Sequence, residues 1–196
     1  LSNNDIQIGR GETIHDTAKV LSGMVDAIMI RTFDHQDVVD LAKYGSIPVI
    51  NGLTDDQHPT QALADLLTIK EHKGGLKGLK LAYVGDGNNV TASLLQACAK
   101  AGMDISCASP SGYTCQQKYV DQALKDAAVT GSKILMTEDP FEACDKADVI
   151  YTDTWTSMGQ EEEKAKRVEI FKGYQVNSKL MGVANKDCLF MHCLPA

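Results

Sequence analysis

LAYVGDGNNVTASLLQACAKAGMDISCASP, residues 81–110, decides the fold. LAYV is a short apolar run of strand length, and it feeds a Gly-Asp-Gly turn. NVTASLLQACAKAG (89–102) then reads as a helix stopped by Gly102, and MDISCASP (103–110) as a second strand. A strand, a helix and a strand in succession imply parallel pairing, with helices covering both faces of the sheet.

The alternation continues in both directions. Toward the C-terminus, residues 115–131 form a helix, SKILMTED (132–139) a strand and DPFEACDKA (139–147) a short Asp-capped helix. DVIYTDT (148–154) is a strand, residues 161–171 are a charged helix, and DCLFMHCLP (187–195) is a last strand. Toward the N-terminus, VDAIMIRT (25–32) and SIPVING (46–52) are strands. Helices at 13–23 and 35–45 precede each of them, and a third runs from His58 to about His72. GGLKGLK (74–80) breaks the periodicity, so the boundary between two α/β domains is expected there: residues 1–73 and 74–196. Both are expected to be doubly wound parallel sheets, the first incomplete in this chain. No repeat or low-complexity segment is evident.

Composition limits the function classes. Of 196 residues, 43% are hydrophobic and 23% charged, as in ordinary globular proteins. A net charge of −7 argues against nucleic acid and anionic membranes as partners, and no apolar run is long enough to span a membrane. The first residues, LSNNDIQIG, do not read as a signal peptide. Six cysteines without a CxxC pair read as reduced thiols, not as a disulfide frame or zinc site, which points to the cytoplasm.

In parallel sheets, ligands bind beyond the carboxyl ends of the strands. Arg31, Asp86, Asn88, Asn89, Asp153 and Cys193 all fall there. His58-Pro59-Thr60-Gln61 opens the helix after PVING. Pro59 suits the first helical position, which makes His58 the N-cap and turns the N–H groups of Thr60 and Gln61 outward. The helix dipole makes this tip ready for an anion, with Ala62, Leu63, Leu66 and Leu67 as the expected buried stripe behind it.

Two other chemistries are disfavoured. VGDGNNV has Val90 where a dinucleotide fingerprint needs its third glycine, and no acidic residue ends the next strand. His192 and Cys193 are neighbours on a strand and point to opposite faces, so a thiol nucleophile would need another histidine, such as His58.

MIRT, HPTQ, GDGNNV, DTWTSMGQEEE and MHCLPA, in this order and across essentially the whole chain, resemble the ornithine carbamoyltransferases of the aspartate/ornithine carbamoyltransferase family. HPTQALADLL would also fit the aspartate branch; the Ser157–Gly159 and His192–Pro195 segments look like the ornithine branch. The resemblance implies transfer of a carbamoyl group from carbamoyl phosphate to the δ-amine of L-ornithine, giving L-citrulline and phosphate. It implies a step of arginine biosynthesis or of urea-cycle type, a homotrimer, and no metal or organic cofactor.

By the same resemblance, Gln7, Arg31, His58, Pro59, Thr60, Gln61, Cys193 and Leu194 hold carbamoyl phosphate. Arg31, His58 and Cys193 are the implied catalytic residues, and Asn89, Asp153, Ser157 and Met158 hold ornithine. The physics agrees. Arginine offers a planar fork to phosphate or carbonyl oxygen. His58 can donate to the carbamoyl oxygen as charge develops there, a contribution of about 3 kcal/mol in a dry site. Gln61 can accept from the carbamoyl NH2, and Asp153 suits an ammonium group. DIQIGRGETI (5–14), with Gln7, resembles a loop that reaches into a neighbouring subunit.

The family's Ser-Thr-Arg-Thr-Arg phosphate loop precedes the region matching Leu1, and a further arginine and a long helix follow HCLPA; neither is in this sequence. The alternatives are carbamoyl transfer to another amine, such as putrescine or a modified ornithine, or an inactive fragment of such an enzyme.

Overall fold

The computed structural model describes residues 11–156, 163–194 and 196. The chain forms two compact units, the first ending at Thr60 and the second beginning at Gln61. Both are built from parallel strands alternating with helices.

The first unit contains α1 (Ile14–Ser22), β1 (Ile28–Arg31), α2 (His35–Tyr44), β2 (Val49–Leu53) and the first residues of α3 (Pro59–Lys73). β1 and β2 pair in parallel, with Ile28 opposite Val49 and, after a register shift, Arg31 opposite Leu53. The helices start where side chains accept from their first free N–H groups: Thr13 takes Asp16 N, and Asp34 takes Gln36 N. Gly23 and Gly45 follow the two helices, as the sequence predicts.

The second unit contains the rest of α3, β3 (Lys80–Val84), α4 (Asn89–Ala101), β4 (Asp104–Ala108), α5 (Gln117–Thr130), β5 (Ile134–Thr137), α6 (Pro140–Cys144), β6 (Val149–Thr152), α7 (Lys164–Phe171), α8 (Ser178–Met181) and β7 (Leu189–His192). Its five strands are all parallel, in the order β5-β4-β3-β6-β7. The chain moves outward from β3 through β4 to β5, then returns to the other side of β3. The order therefore reverses between β3 and β6, and an open α/β sheet has its crevice at such a point.

Both faces of this sheet are covered. Leu81 and Tyr83 of β3, with Val149 and Tyr151 of β6, pack under α3, α4 and α5. Ala82, Val84 and Ile150 point the other way, against Cys144 and Leu180. That two-sided burial explains why the strands read as continuous apolar runs.

The α3 stripe differs from expectation. Leu63 and Leu67 are 64% and 57% exposed, whereas Ala62, Asp65 and Ile69 are buried. Positions 62, 65 and 69 share one helical face at i, i+3, i+7 spacing, and Leu63 and Leu67 lie together on another. An aspartate thus occupies the centre of the buried stripe. The short helix α8 and the 3-10 turn Lys172–Tyr174 also have no counterpart in the sequence reading. Each is only one turn or less, too short for a periodic signal. Among the described residues, no helix is long and apolar enough to cross a membrane.

The turn after β3 permits only glycine at residue 87. A Cβ there would lie 2.1 Å from the Cys115 nitrogen and 2.3 Å from the Thr114 carbonyl carbon. Gly87 N also donates to Tyr113 O at 2.8 Å, so neither segment can withdraw without losing that bond. Gly87→Ala is expected to lower the unfolding free energy by about 3 kcal/mol, the upper range for forced overpacking. Gly75→Ala, where nothing lies within 4 Å, is the control. Urea unfolding of both variants checks this; equal midpoints would show that the turn yields freely.

Candidate functional site

In the first unit, the polar groups sit where the strands end. Arg31 is the last residue of β1, beside Leu53 of β2. After β2 the chain turns tightly: Thr54 N donates to Gln57 O at 2.8 Å, and the Thr54 hydroxyl lies 2.9 Å from His35 Nδ1. This turn delivers half-buried His58 and Pro59 to the start of α3. The Thr60 hydroxyl donates to Gly52 O at 3.0 Å and lies 3.2 Å from His58 Nδ1. The helix tip is therefore tied back to the strand it follows. Arg31, His58, Pro59 and Thr60 all belong to this unit.

In the second unit, register does the positioning. Val84 pairs with Thr152, and Thr152 pairs with His192. The next residue after each strand is Gly85, Asp153 and Cys193, so these three leave the sheet side by side. Asn88 then bridges the reversal point. Its Oδ1 caps α4 by accepting from Val90 N and Thr91 N at 3.0 and 3.2 Å. Its Nδ2 donates to Asp153 Oδ2 at 2.7 Å. Asn89 is the first residue of the same helix.

Cys193 is buried, and its thiol is a neighbour of both Asp153 and the Tyr151 hydroxyl. Burial, followed by the Asp153 carboxylate, pushes the thiol up to about 12. The Cys193 thiol therefore keeps its proton at neutral pH. Burial likewise raises Tyr151, so its hydroxyl keeps its proton. Leu194, next along, is 88% exposed.

The separation expected between His192 and Cys193 does not hold. β7 ends at His192, so Cys193 is already off the strand and the alternation no longer applies. One donor atom each from Asp153, His192 and Cys193 lie within 4.8 Å of one another. Among the described residues this set could hold a metal ion, where the sequence reading assigned none. His192 Nδ1 is also in contact with the Cys193 carbonyl oxygen. A cleft of about 200 Å3 opens beside Asp153 and His192, walled by Trp155, Tyr174 and Phe190.

Three supporting groups were not named from the sequence. Asp65 accepts from Gln61 Nε2 at 3.0 Å inside α3. Tyr151 stands beside Asp65 and Cys193, stacked on Tyr83 with ring centroids 6.1 Å apart. Arg167 is 5% exposed; it donates to Asp86 Oδ2 at 2.7 Å and to the Trp155 carbonyl at 3.0 Å. Its guanidinium also covers the Tyr113 ring at 5.0 Å. Burial raises Asp86 even against the opposing Arg167 charge. Tyr151 carried a readable signal, as an aromatic hydroxyl two residues before Asp153, whereas Asp65 reads as a surface residue of α3. Arg167 had none, because its charged neighbours in 161–169 look alike. Gln7, Ser157 and Met158 lie outside the described residues.

Polar side chains gathered at the reversal point of an open parallel sheet define an α/β protein of the doubly wound type, the architecture in which such a crevice holds ligands. The chain belongs to the aspartate/ornithine carbamoyltransferase family. Residues 1–71 match the family's carbamoyl-P binding domain, and residues 77–196 its Asp/Orn binding domain. Over all 196 residues it is 60% identical to an ornithine carbamoyltransferase of Bacillus subtilis and 59% to one of Caldicellulosiruptor saccharolyticus. It spans 61% and 64% of their lengths. The solved ornithine carbamoyltransferase of Pyrococcus furiosus superimposes with a TM-score of 0.95 at 55% identity, covering all of this chain and 63% of that one.

The state of Cys193 can be tested directly. Iodoacetamide labels thiolate, so the labelling rate of Cys193 in the folded protein is expected to climb without levelling between pH 7 and 10. An ordinary cysteine of pKa about 8.5 levels off in that window. Peptide mass spectrometry follows the site; a plateau at or below pH 10 would show an ionised thiol.

Proposed function

We propose that the polypeptide carrying this sequence transfers the carbamoyl group of carbamoyl phosphate to the δ-amine of L-ornithine, releasing L-citrulline and phosphate. The observation that carries this reading is Asp153. It stands at the reversal point, fixed by Asn88 and next to a neutral thiol. A fixed carboxylate attracts an acceptor with an ammonium group and repels one with a second carboxylate, so it favours ornithine over aspartate. The family match and relatives named ornithine carbamoyltransferase support the same choice.

In the proposed reaction, Arg31 and the tip of α3 take the phosphate and the carbamoyl oxygen. His58 donates to that oxygen as it gains charge, Pro59 and Thr60 hold the tip in shape, and Gln61 accepts from the carbamoyl NH2. Asp153 takes an ammonium group of ornithine, and Asn89, with Ser157 and Met158, supplies neutral donors and acceptors for its α-amino and α-carboxylate groups. Cys193 and the backbone at Leu194 complete the surroundings, and Gln7 adds a contact to carbamoyl phosphate. The δ-amine, with a solution pKa near about 10.4, must lose a proton before it attacks. Its nitrogen then bonds to the carbamoyl carbon, the carbon–oxygen bond to phosphate breaks, and phosphate leaves with the electron pair and takes up the second proton that the attacking nitrogen sheds. The chemistry calls for no organic cofactor, because phosphate is already a good leaving group.

We further propose arginine biosynthesis as the context, the cytoplasm as the location and a homotrimer as the assembly. The functional domain boundary is placed at 73/74, in keeping with the gap between the two family matches.

The test is carbamoyl transfer from labelled carbamoyl phosphate to ornithine, aspartate and putrescine, with products separated by chromatography. Citrulline is the expected product; turnover with putrescine and none with ornithine would overturn the reading. Arg31→Ala is expected to weaken carbamoyl phosphate by about 1.5–3 kcal/mol, as for loss of a charge-assisted hydrogen bond, with ornithine affected far less. Equal carbamoyl phosphate binding by variant and parent would remove Arg31 from the site.

A further inference from the structure

Gln61 and Asp65 lie one helical turn apart, and the Gln61 amide nitrogen donates to Asp65 Oδ1 at 3.0 Å. Gln–Asp pairs at this spacing recur among the described residues, at Gln36–Asp40, Gln117–Asp121 and Gln122–Asp126. Those pairs are exposed, where water competes for both partners and such a bond is worth little. Asp65 is different, being 4% exposed within the apolar stripe of α3. Its other oxygen is buried without a direct hydrogen-bond partner and has the Tyr151 hydroxyl as its polar neighbour.

An ionised carboxylate only accepts. The surroundings of Asp65 match that: the Gln61 NH2 and the Tyr151 O–H are both donors. Burial raises the Asp65 carboxyl, while its contacts with Gln61 and Tyr151 act in the opposite direction. Turning the Gln61 amide over would set its oxygen against a carboxylate oxygen about 3 Å away, an acceptor facing an acceptor. The amide therefore has one orientation, with its NH2 held inward by Asp65. Its oxygen is left for a ligand. An outward oxygen accepts from an –NH2 group, and nothing in it suits a methyl group.

We propose that Asp65 is a positioning residue that locks the Gln61 amide with its oxygen outward, and so makes the site select an acyl phosphate bearing –NH2 over one bearing –CH3. The proposal rests on the carbamoyl phosphate reading and explains how that substrate is told from an acetyl phosphate of the same shape.

The test uses two stable phosphonates, measured by calorimetry on the polypeptide carrying this sequence. Phosphonoacetamide keeps the –CO–NH2 end, and acetonylphosphonate replaces it with –CO–CH3. The parent is expected to prefer the amide by about tenfold, the size of one hydrogen bond plus its misfit. In Asp65→Asn the neighbour can donate or accept, so the Gln61 amide can turn over. The preference should then fall to about twofold or less, through weaker amide binding alone. In a Gln61→Met background, Asp65→Asn should change the ratio no further. An unchanged preference in Asp65→Asn overturns the proposal, as does equal weakening of both compounds, which marks general support of the helix. A parent that binds neither compound overturns the carbamoyl phosphate reading and this proposal with it. If Asp65→Asn fails to fold, the parent decides. Its Gln61 side-chain NH2 resonances, identified by their loss in Gln61→Met, should exchange slowly with solvent; fast exchange contradicts the lock.

Discussion

The hydrogen bond from Asn88 Nδ2 to Asp153 Oδ2, 2.7 Å long, crosses the place where the strand order of the second unit reverses. Much of the site depends on it. One end of Asn88 starts α4, and the other fixes the carboxylate that follows β6. Because the strands are parallel and paired residue for residue, β3, β6 and β7 end together, and Asp153 and Cys193 emerge as neighbours. The site is thus an outcome of register. A slip of one residue on β6 would part Asp153 from Asn88 and Cys193.

Behind this bond runs a line of buried polar groups. Gln61 donates to Asp65, Tyr151 stands between Asp65 and Cys193, and Cys193 neighbours Asp153. Burial raises Tyr151 and Cys193, which keep their protons, while at Asp65 the contacts with Gln61 and Tyr151 act against the burial. A core of stability alone would replace such groups with apolar ones. Their retention in one connected line fits a need for fixed orientation at both ends, an amide at Gln61 and a carboxylate at Asp153. Arg167 serves the neighbouring turn in the same way, joining Asp86 to the Trp155 carbonyl beneath the stacked rings of Trp155 and Phe171.

Much of this was legible in the sequence. Apolar runs bounded by Gly102 and Gly131 placed the strands and helices to within a few residues, because parallel strands buried on both faces leave an unbroken apolar signature. The rule that ligands lie at carboxyl ends picked out Arg31, Asn89, Asp153 and Cys193 before any geometry was known. Pairing was not legible. That β6 returns beside β3 is a long-range choice, and local composition carries no trace of it. The buried face of α3 was misassigned because Leu63 and Leu67 look like core and Asp65 looks like surface. Hydrophobicity cannot see that the Gln61 amide donates to this carboxylate and that the Tyr151 hydroxyl is its neighbour. His192 and Cys193 come together because the strand ends one residue earlier than the alternation argument assumed.

The proposed role of Asp153 is to receive the cationic acceptor. The most direct measurement is steady-state kinetics of Asp153→Asn, which keeps the size of the side chain and an acceptor oxygen while removing the charge. Loss of a charge-assisted hydrogen bond, about 1.5–3 kcal/mol, should raise the ornithine KM by roughly ten- to a hundredfold. Binding of carbamoyl phosphate should stay close to that of the parent. An ornithine dependence identical to the parent's would contradict the assignment and leave Asp153 as a structural cap on the end of β6.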